Sequence, residues 1–363
     1  MQWEDRRNHR CAGHSLQVTA DGEGVQVTVP SESGALSAKL GKDFSPLVFG
    51  CAHLGSPWPG GRAAREAQLF SWLDQVSAAG VNAFDTAHLY SLGASERTLG
   101  GWCRRNGLRD QLVIATKGCL PYVGSRPRIS AKALRADLGR SLERLGTDYI
   151  DIYFLHKDNP RMPVSEIVEI CHEQMKDGSV RLFGVSNWTH ERIQEANRYA
   201  EARGLRKIEV SSPHFSLAWW HRMPYPSSVS LAGPGGAAGR AWYAEHQMPV
   251  FAWASMAQGY FRERVRPASV KERVSPITWQ RRWAYEHADN AARRERARIL
   301  GKRKGLSTAQ VALAYLRAQR FPVFPVVGMT RSPSLRQNVQ AFSASLVEAE
   351  VHWLEHGDAE ALP

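Results

Sequence analysis

No apolar run in the 363-residue sequence approaches the roughly 20 residues that cross a bilayer, so no membrane-spanning helix is expected. The first residues, MQWEDRRNHRCAGHSLQ, are charged and lack an apolar core, which argues against a secretory signal. Cysteine is scarce: Cys11, Cys51, Cys103, Cys119 and Cys171 are scattered, odd in number and without a CxxC pair. That pattern predicts free thiols in a reducing cytoplasm, not a disulfide frame. No GxGxxG fingerprint follows a strand candidate, which argues against a doubly wound dinucleotide-binding domain.

Acidic residues are outnumbered, 35 against 47 basic, for a formal charge of +12. The arginines are spread along the chain and no familiar nucleic-acid motif accompanies them, so nucleic acid is not expected as a partner. The densest patch, RRERARILGKRK (293–304), reads as the solvated face of a helix. A basic surface suits an anionic cofactor or substrate equally well.

What is present is an alternation. Strand candidates fall at 46–50, 81–85, 111–117, 149–155, 180–186, 207–212, 249–255 and 322–328. Helical patterns fall at 65–79, 95–106, 130–145, 163–177, 189–203, 237–247, 290–304 and 307–319. Several strands are apolar throughout, the mark of parallel strands covered on both faces. Eight strands with helices between them predict an α/β fold, a (β/α)8 TIM barrel with long loops on its C-terminal face. Ser130 and Ser307 read as helix starts and Gly146 as a stop. Residues 1–35 read as a flexible leader, possibly with a short hairpin around GVQVTV (24–29), 36–342 as the barrel and 343–363 as a tail. The basic connection 259–288 is long, as functional loops often are.

In such barrels chemistry sits at the carboxyl ends of the strands. The second candidate strand ends in Asp85, the third in Lys117 and the fourth meets His156, with Tyr90 on the loop after Asp85. Each alone has an ordinary reading: a cap, a snorkelling lysine, a satisfied core histidine, a packed ring. All four at successive strand ends point instead to proton transfer. A phenol with a pKa near 10 is a weak acid, and the Lys117 ammonium is expected to bring it toward neutral while Asp85 holds the lysine charged. His156 would hydrogen-bond the substrate oxygen or join a proton relay.

The segments VNAFDTAHLYSLGASERTLGGW, LVIATKG, DYIDIYFLHKDNP, RLFGVSNW and VVGMTRSPSLRQNV resemble the successive signatures of the aldo-keto reductase superfamily, over about residues 36–342. The SSP-x-FSLA segment after the sixth strand is similar to that of a bacterial subgroup. The resemblance implies a catalytic tetrad of Asp85, Tyr90, Lys117 and His156, and hydride transfer between a nicotinamide cofactor and a carbonyl or alcohol, without metal. It implies that Ser186 and Asn187 hold the carboxamide. Ser212 stands where a glutamine is frequent, so a shorter or water-mediated hydrogen bond is expected there. Trp253 matches the ring that stacks on the nicotinamide, and Met256 and Gln258 match pyrophosphate positions. Thr330 and Arg331 match the 2′-phosphate site, Gln337 and Asn338 the adenine side. Ser334 replaces a frequent Arg or Gln, which weakens strict NADP(H) preference, whereas Arg331 favours NADP(H) over NAD(H). Trp58, Trp188, Trp219, Trp220 and Tyr225 are candidate walls for a small carbonyl or sugar-like substrate. The alternative is a catalytically quiet, nicotinamide-binding regulatory or interaction subunit on the same fold, a role that has no need of the Tyr–Lys pair. The oligomeric state and the physiological direction are not legible.

Overall fold

The computed structural model describes residues 15–20, 23–28, 31–55, 62–121, 127–262, 276–328 and 332–358. Strands β1 (Ser15–Ala20) and β2 (Glu23–Thr28) form an antiparallel hairpin in which Ser15 pairs with Thr28. The remaining strands are β3 (Val48–Gly50), β4 (Ala83–Asp85), β5 (Val113–Gly118), β6 (Ile150–Leu155), β7 (Val180–Ser186), β8 (Val210–Ser212), β9 (Val250–Ala252) and β10 (Val323–Val327). They run parallel and close in the order β10-β3-β4-β5-β6-β7-β8-β9.

The helices are α1 (Ser31–Leu40), α2 (Arg62–Ala78), α3 (Ala94–Asn106), α4 (Ala131–Leu145), α5 (Val164–Met175) and α6 (His190–Ala202). They continue with α7 (Ala237–His246), α8 (Pro276–Tyr285), α9 (Ala288–Lys304), α10 (Thr308–Arg317), α11 (Ser332–Gln340) and α12 (Glu348–His356).

Two buried layers hold the barrel. Inside it, Val48, Ala115, Ile152, Phe154, Phe251 and Phe324 meet Leu36 of α1 and Phe44. Phe44 sits edge-on to Phe324 at 4.9 Å and to Phe251 at 5.8 Å, which closes the N-terminal mouth. Outside, the strands' other faces pack under the helices, so β5 and β6 are buried at every position. The N-terminal rim is tied by Lys42 and Arg109, which share Asp151 at 2.7 and 2.8 Å. That leaves the opposite rim for chemistry.

The helix signals act as expected. Ser130 accepts from the Ala133 amide, and Gly146 ends α4 with φ +66°. Ser307 makes a reciprocal capping box with Gln310 at the start of α10. Ser307→Ala is expected to lower stability by about 1 kcal/mol, read as a lower denaturant midpoint at unchanged slope.

Three segments depart from the sequence reading. The leader expected to reach residue 35 gives way to α1 at Ser31, because Leu36 has a barrel interior to fill. The connection 259–288 contains α8; its stretch 263–275 lies outside the described residues. The expected tail carries α12, which buries Trp353 and Leu354 and is gripped by Arg296 donating to the Leu354 carbonyl.

Candidate active site

Parallel pairing sets Gly50 against Asp85, Asp85 against Ala115 and Lys117 against Phe154, so consecutive strand ends converge on one rim. Asp85 and Lys117 are 4% and 2% exposed and form a direct ion pair. A second donor bond, 2.9 Å to the Thr86 carbonyl, aims the ammonium. Burying two charges is tolerable only when they pair and saturate each other. The Lys117 ammonium lies 5.2 Å from the centre of the Tyr90 ring, which itself meets the His156 ring edge-on at 5.7 Å. All four tetrad positions are therefore brought together.

The electrostatics correct one expectation. Burial pushes the Tyr90 phenol above its ordinary value, and the Lys117 ammonium pulls it back only in part. Desolvation of a phenolate at this depth outweighs one neighbouring charge, so the ring is a protonated acid across the neutral range. His156 is pushed well below its ordinary range, first by burial and then by the charges of Lys117, so it is neutral. Its Nδ1 is buried without a partner.

The loop that carries Tyr90 is braced by residues that sequence reasoning missed. Arg144 on α4 donates to the His88 carbonyl at 2.7 Å and to Glu96 at 3.1 Å. Glu96, fully buried on α3, also accepts from Thr116. Gly93, in the turn after Tyr90, has φ +82°, and a Cβ there would run into the Arg144 guanidinium. The His88 ring contacts the Lys117 carbonyl at 3.2 Å and Asp137 at 3.3 Å. Nothing local marks these residues, since their partners lie 20 to 56 positions away.

The positions matched to a nicotinamide site cluster around β7, β8 and β9. Ser186 donates to the Ser212 carbonyl at 2.8 Å, and Asn187 donates to Ser186 at 2.9 Å and to the His156 carbonyl at 3.3 Å. Asn187 Oδ1, Ser212 Oγ, Trp253 Nε1 and Gln258 Oε1 are all buried and unpartnered. Unpaired polar atoms in such number are costly unless a ligand meets them. Asn187, Ala254, Ala257 and Gln258 also hold left-handed backbone, with φ between +46° and +61°. Such strain collects at ligand sites. Met256 is partly buried against the core. Asn338 is buried and Gln337 exposed on α11, which also carries Ser334. Thr330 and Arg331 lie outside the described residues, as does Trp58.

Of the proposed aromatic walls, Trp188 follows the end of β7 as a buried ring whose Nε1 has no partner. It is 1% exposed, packs in the buried cluster outside the barrel and has the Arg192 guanidinium 5.2 Å above its ring. Trp219 is half-buried beside Arg293 and His221. Trp220 and Tyr225 cluster on Trp253, whose ring stands 5.5 Å from Trp220 and 5.9 Å from Tyr225. His214, a neutral ring pulled down to about 3 by burial, stacks on Trp220 at 4.0 Å. His214 also contacts the Tyr285 hydroxyl at 2.9 Å, which in turn accepts from Trp220 Nε1.

Among the described residues, His221, His287 and Asp289 bring metal-ligating atoms within 4.8 Å of one another. The two imidazoles stack face to face at 3.5 Å and 19°, so their in-plane lone pairs do not converge on one ion.

A family model for the aldo/keto reductase family matches residues 46–356. The norsolorinic acid reductase stcV of Emericella nidulans is 30% identical, covering 88% of this chain and 80% of its own. An aryl-alcohol dehydrogenase of Pestalotiopsis microspora is 26% identical, covering 86% and 78%. The crystal structure of an aldo/keto reductase from Klebsiella pneumoniae with NADP and acetate superposes with a TM-score of 0.61 at 24% identity, covering 86% of this chain and 90% of that one. With eight parallel strands closed into a barrel and a family match across most of its length, the chain belongs to the aldo/keto reductase family.

Proposed function

We propose that the protein is an NADP(H)-dependent oxidoreductase interconverting a ring-bearing carbonyl and its alcohol, with Tyr90 as the general acid and base. The observation that carries this reading is the buried Asp85–Lys117 pair set beside the Tyr90 ring, with the neutral His156 edge-on to it. The unpartnered atoms of Asn187 and Ser212 fit a carboxamide, and Trp253 fits a stacking ring. Hydride transfer is the chemistry that a bound nicotinamide supplies.

The chain's own residues then handle the proton. The Tyr90 hydroxyl hydrogen-bonds the substrate oxygen and gives up its proton as that oxygen gains charge. Lys117 stabilises the phenolate left behind, and Asp85 keeps Lys117 charged and in register. His156 Nδ1, neutral and unpartnered, contributes a second polar contact at the rim. In the alcohol-to-carbonyl direction the same groups act in reverse.

The Trp220–Trp253–Tyr225 wall suits a flat ring, and the names of the norsolorinic acid and aryl-alcohol relatives favour an aromatic ring over a sugar-like face. NADP(H) is favoured by Arg331 in GMTRS and by the NADP bound to the Klebsiella pneumoniae protein. Arg331→Ala is expected to weaken NADPH about tenfold while changing NADH little, as loss of one charge-assisted contact implies. Equal losses in fluorescence titrations would remove Arg331 from the phosphate site.

The test of the function is a tryptophan-fluorescence titration with NADPH and NADH, followed by a panel of aliphatic aldehydes, aryl carbonyls and sugars. Tight binding without turnover on any member would make the protein a quiet nicotinamide-binding subunit. No binding of either dinucleotide would overturn the reading.

A further inference from the structure

Lys157 directly follows His156, and among the described residues its ammonium meets no carboxylate. The adjacent carboxylate, Asp158, is taken by Arg192 at 2.6 Å. Instead Lys157 Nζ donates to three oxygens of one short segment: Pro226 O at 3.1 Å, Ser227 O at 3.0 Å and Ser228 Oγ at 2.7 Å. An ammonium has three N–H groups and no acceptor, so this set saturates it. Burial pulls the lysine down to about 8, the mark of a charge taken out of water without an opposite charge to compensate. Such an arrangement persists where the charge holds something in place.

What it holds is the segment leading from the substrate wall. Ser227 has left-handed backbone at φ +54°, a conformation that endures only when its surroundings impose it. Two residues earlier, Tyr225 is 38% exposed, donates to Gln280 at 2.9 Å and accepts from Gln258 at 3.1 Å. Beyond the segment, the His214 amide donates to the Val229 carbonyl and the Leu231 amide to the His214 carbonyl. The arch 225–231 is thus tied to His214, just past β8, at one end and to α8 at the other, and among the described residues Lys157 ties it to the His156 strand end.

We propose that Lys157 is a positioning residue that latches segment 226–228 and so sets Tyr225 as the substrate wall. The latch rests on the oxidoreductase reading above for its link to substrate, but not for its existence. It links the strand end carrying His156 to the loop that sizes the substrate, so ring-bearing carbonyls depend on it and small ones do not.

Lys157→Met keeps the aliphatic stem and removes all three donors. For an aryl carbonyl, KM should rise about 10- to 100-fold, the scale of a lost charge-assisted hydrogen bond. The kcat, and both constants for a two-carbon aldehyde, should stay within about threefold, because the wall and not the proton donor has moved. A fall in kcat at unchanged KM would overturn the proposal by placing Lys157 in the chemistry of His156. In the double variant Lys157→Met/Tyr225→Ala, losses should be no larger than in Tyr225→Ala alone; additive losses count against it. Amide hydrogen exchange over 222–231 reads the latch without turnover. Faster exchange in Lys157→Met supports it even if no carbonyl is reduced, and unchanged exchange overturns it. Should that variant not fold, Ser228→Ala removes one acceptor and is expected to move the same readouts in the same direction by less.

Discussion

Tyr90→Phe is expected to cut turnover in both directions by on the order of 10²- to 10⁴-fold, the usual yield of a positioned proton donor. The ring, its edge contact with His156 and its place under Lys117 all survive the change; only the hydroxyl goes. Dinucleotide affinity in the fluorescence titration should therefore remain within about threefold of the parent, since no binding contact is removed. A variant that keeps full activity would dismiss Tyr90 as the acid. Because burial holds the phenol above its ordinary value, the parent's reduction rate should be flat through the neutral range and fall only in strong alkali. Oxidation, which needs the phenolate, should gain with rising pH over the same range.

The second large effect is on both stability and rate. Lys117→Met leaves Asp85 buried without its partner, a change that costs about 3–5 kcal/mol in comparable sites. Asp85, already raised by burial, loses the ammonium that lowers it and rises further. A carboxyl whose folded pKa exceeds its unfolded one binds more protons when folded, so the variant's stability falls as pH climbs above about 4. Thermal melts from pH 4 upward should show that slope, steeper than in the parent, where the Lys117 ammonium offsets part of the rise in Asp85. Adding Asp85→Asn should recover much of the lost stability and none of the lost turnover. The alkaline fall in the reduction rate should also move to higher pH, because the ammonium that lowers the Tyr90 phenol is gone. A stable Lys117→Met protein with an unshifted profile would remove the lysine from both roles.

Much of this was legible in one dimension. The unbroken apolar runs of β5 and β6 announce strands covered on both faces, and Ser130, Gly146 and Ser307 announce where helices begin and end. The polar residues at the strand ends, Asp85, Lys117 and His156, stand out as a set, although each alone has an ordinary reading. Helix α1 was not visible: its pattern is weak and its reason for folding is a barrel interior that needs Leu36. Trp188 shows the same limit, since a tryptophan after GVSN reads alike whether it faces a pocket or the core.

Residue types, their order and the periodicity that closes a parallel barrel are properties of the chain, and they determined the fold class and the kinds of group at its rim. Depth and partnership are not. Whether Tyr90 is raised or lowered depends on how much water the fold removes, and whether Lys157 and Arg144 matter depends on oxygens at residues 226–228 and 88. Those decisions belong to the tertiary structure because electrostatic energy depends on distance and dielectric, neither of which sequence spacing encodes.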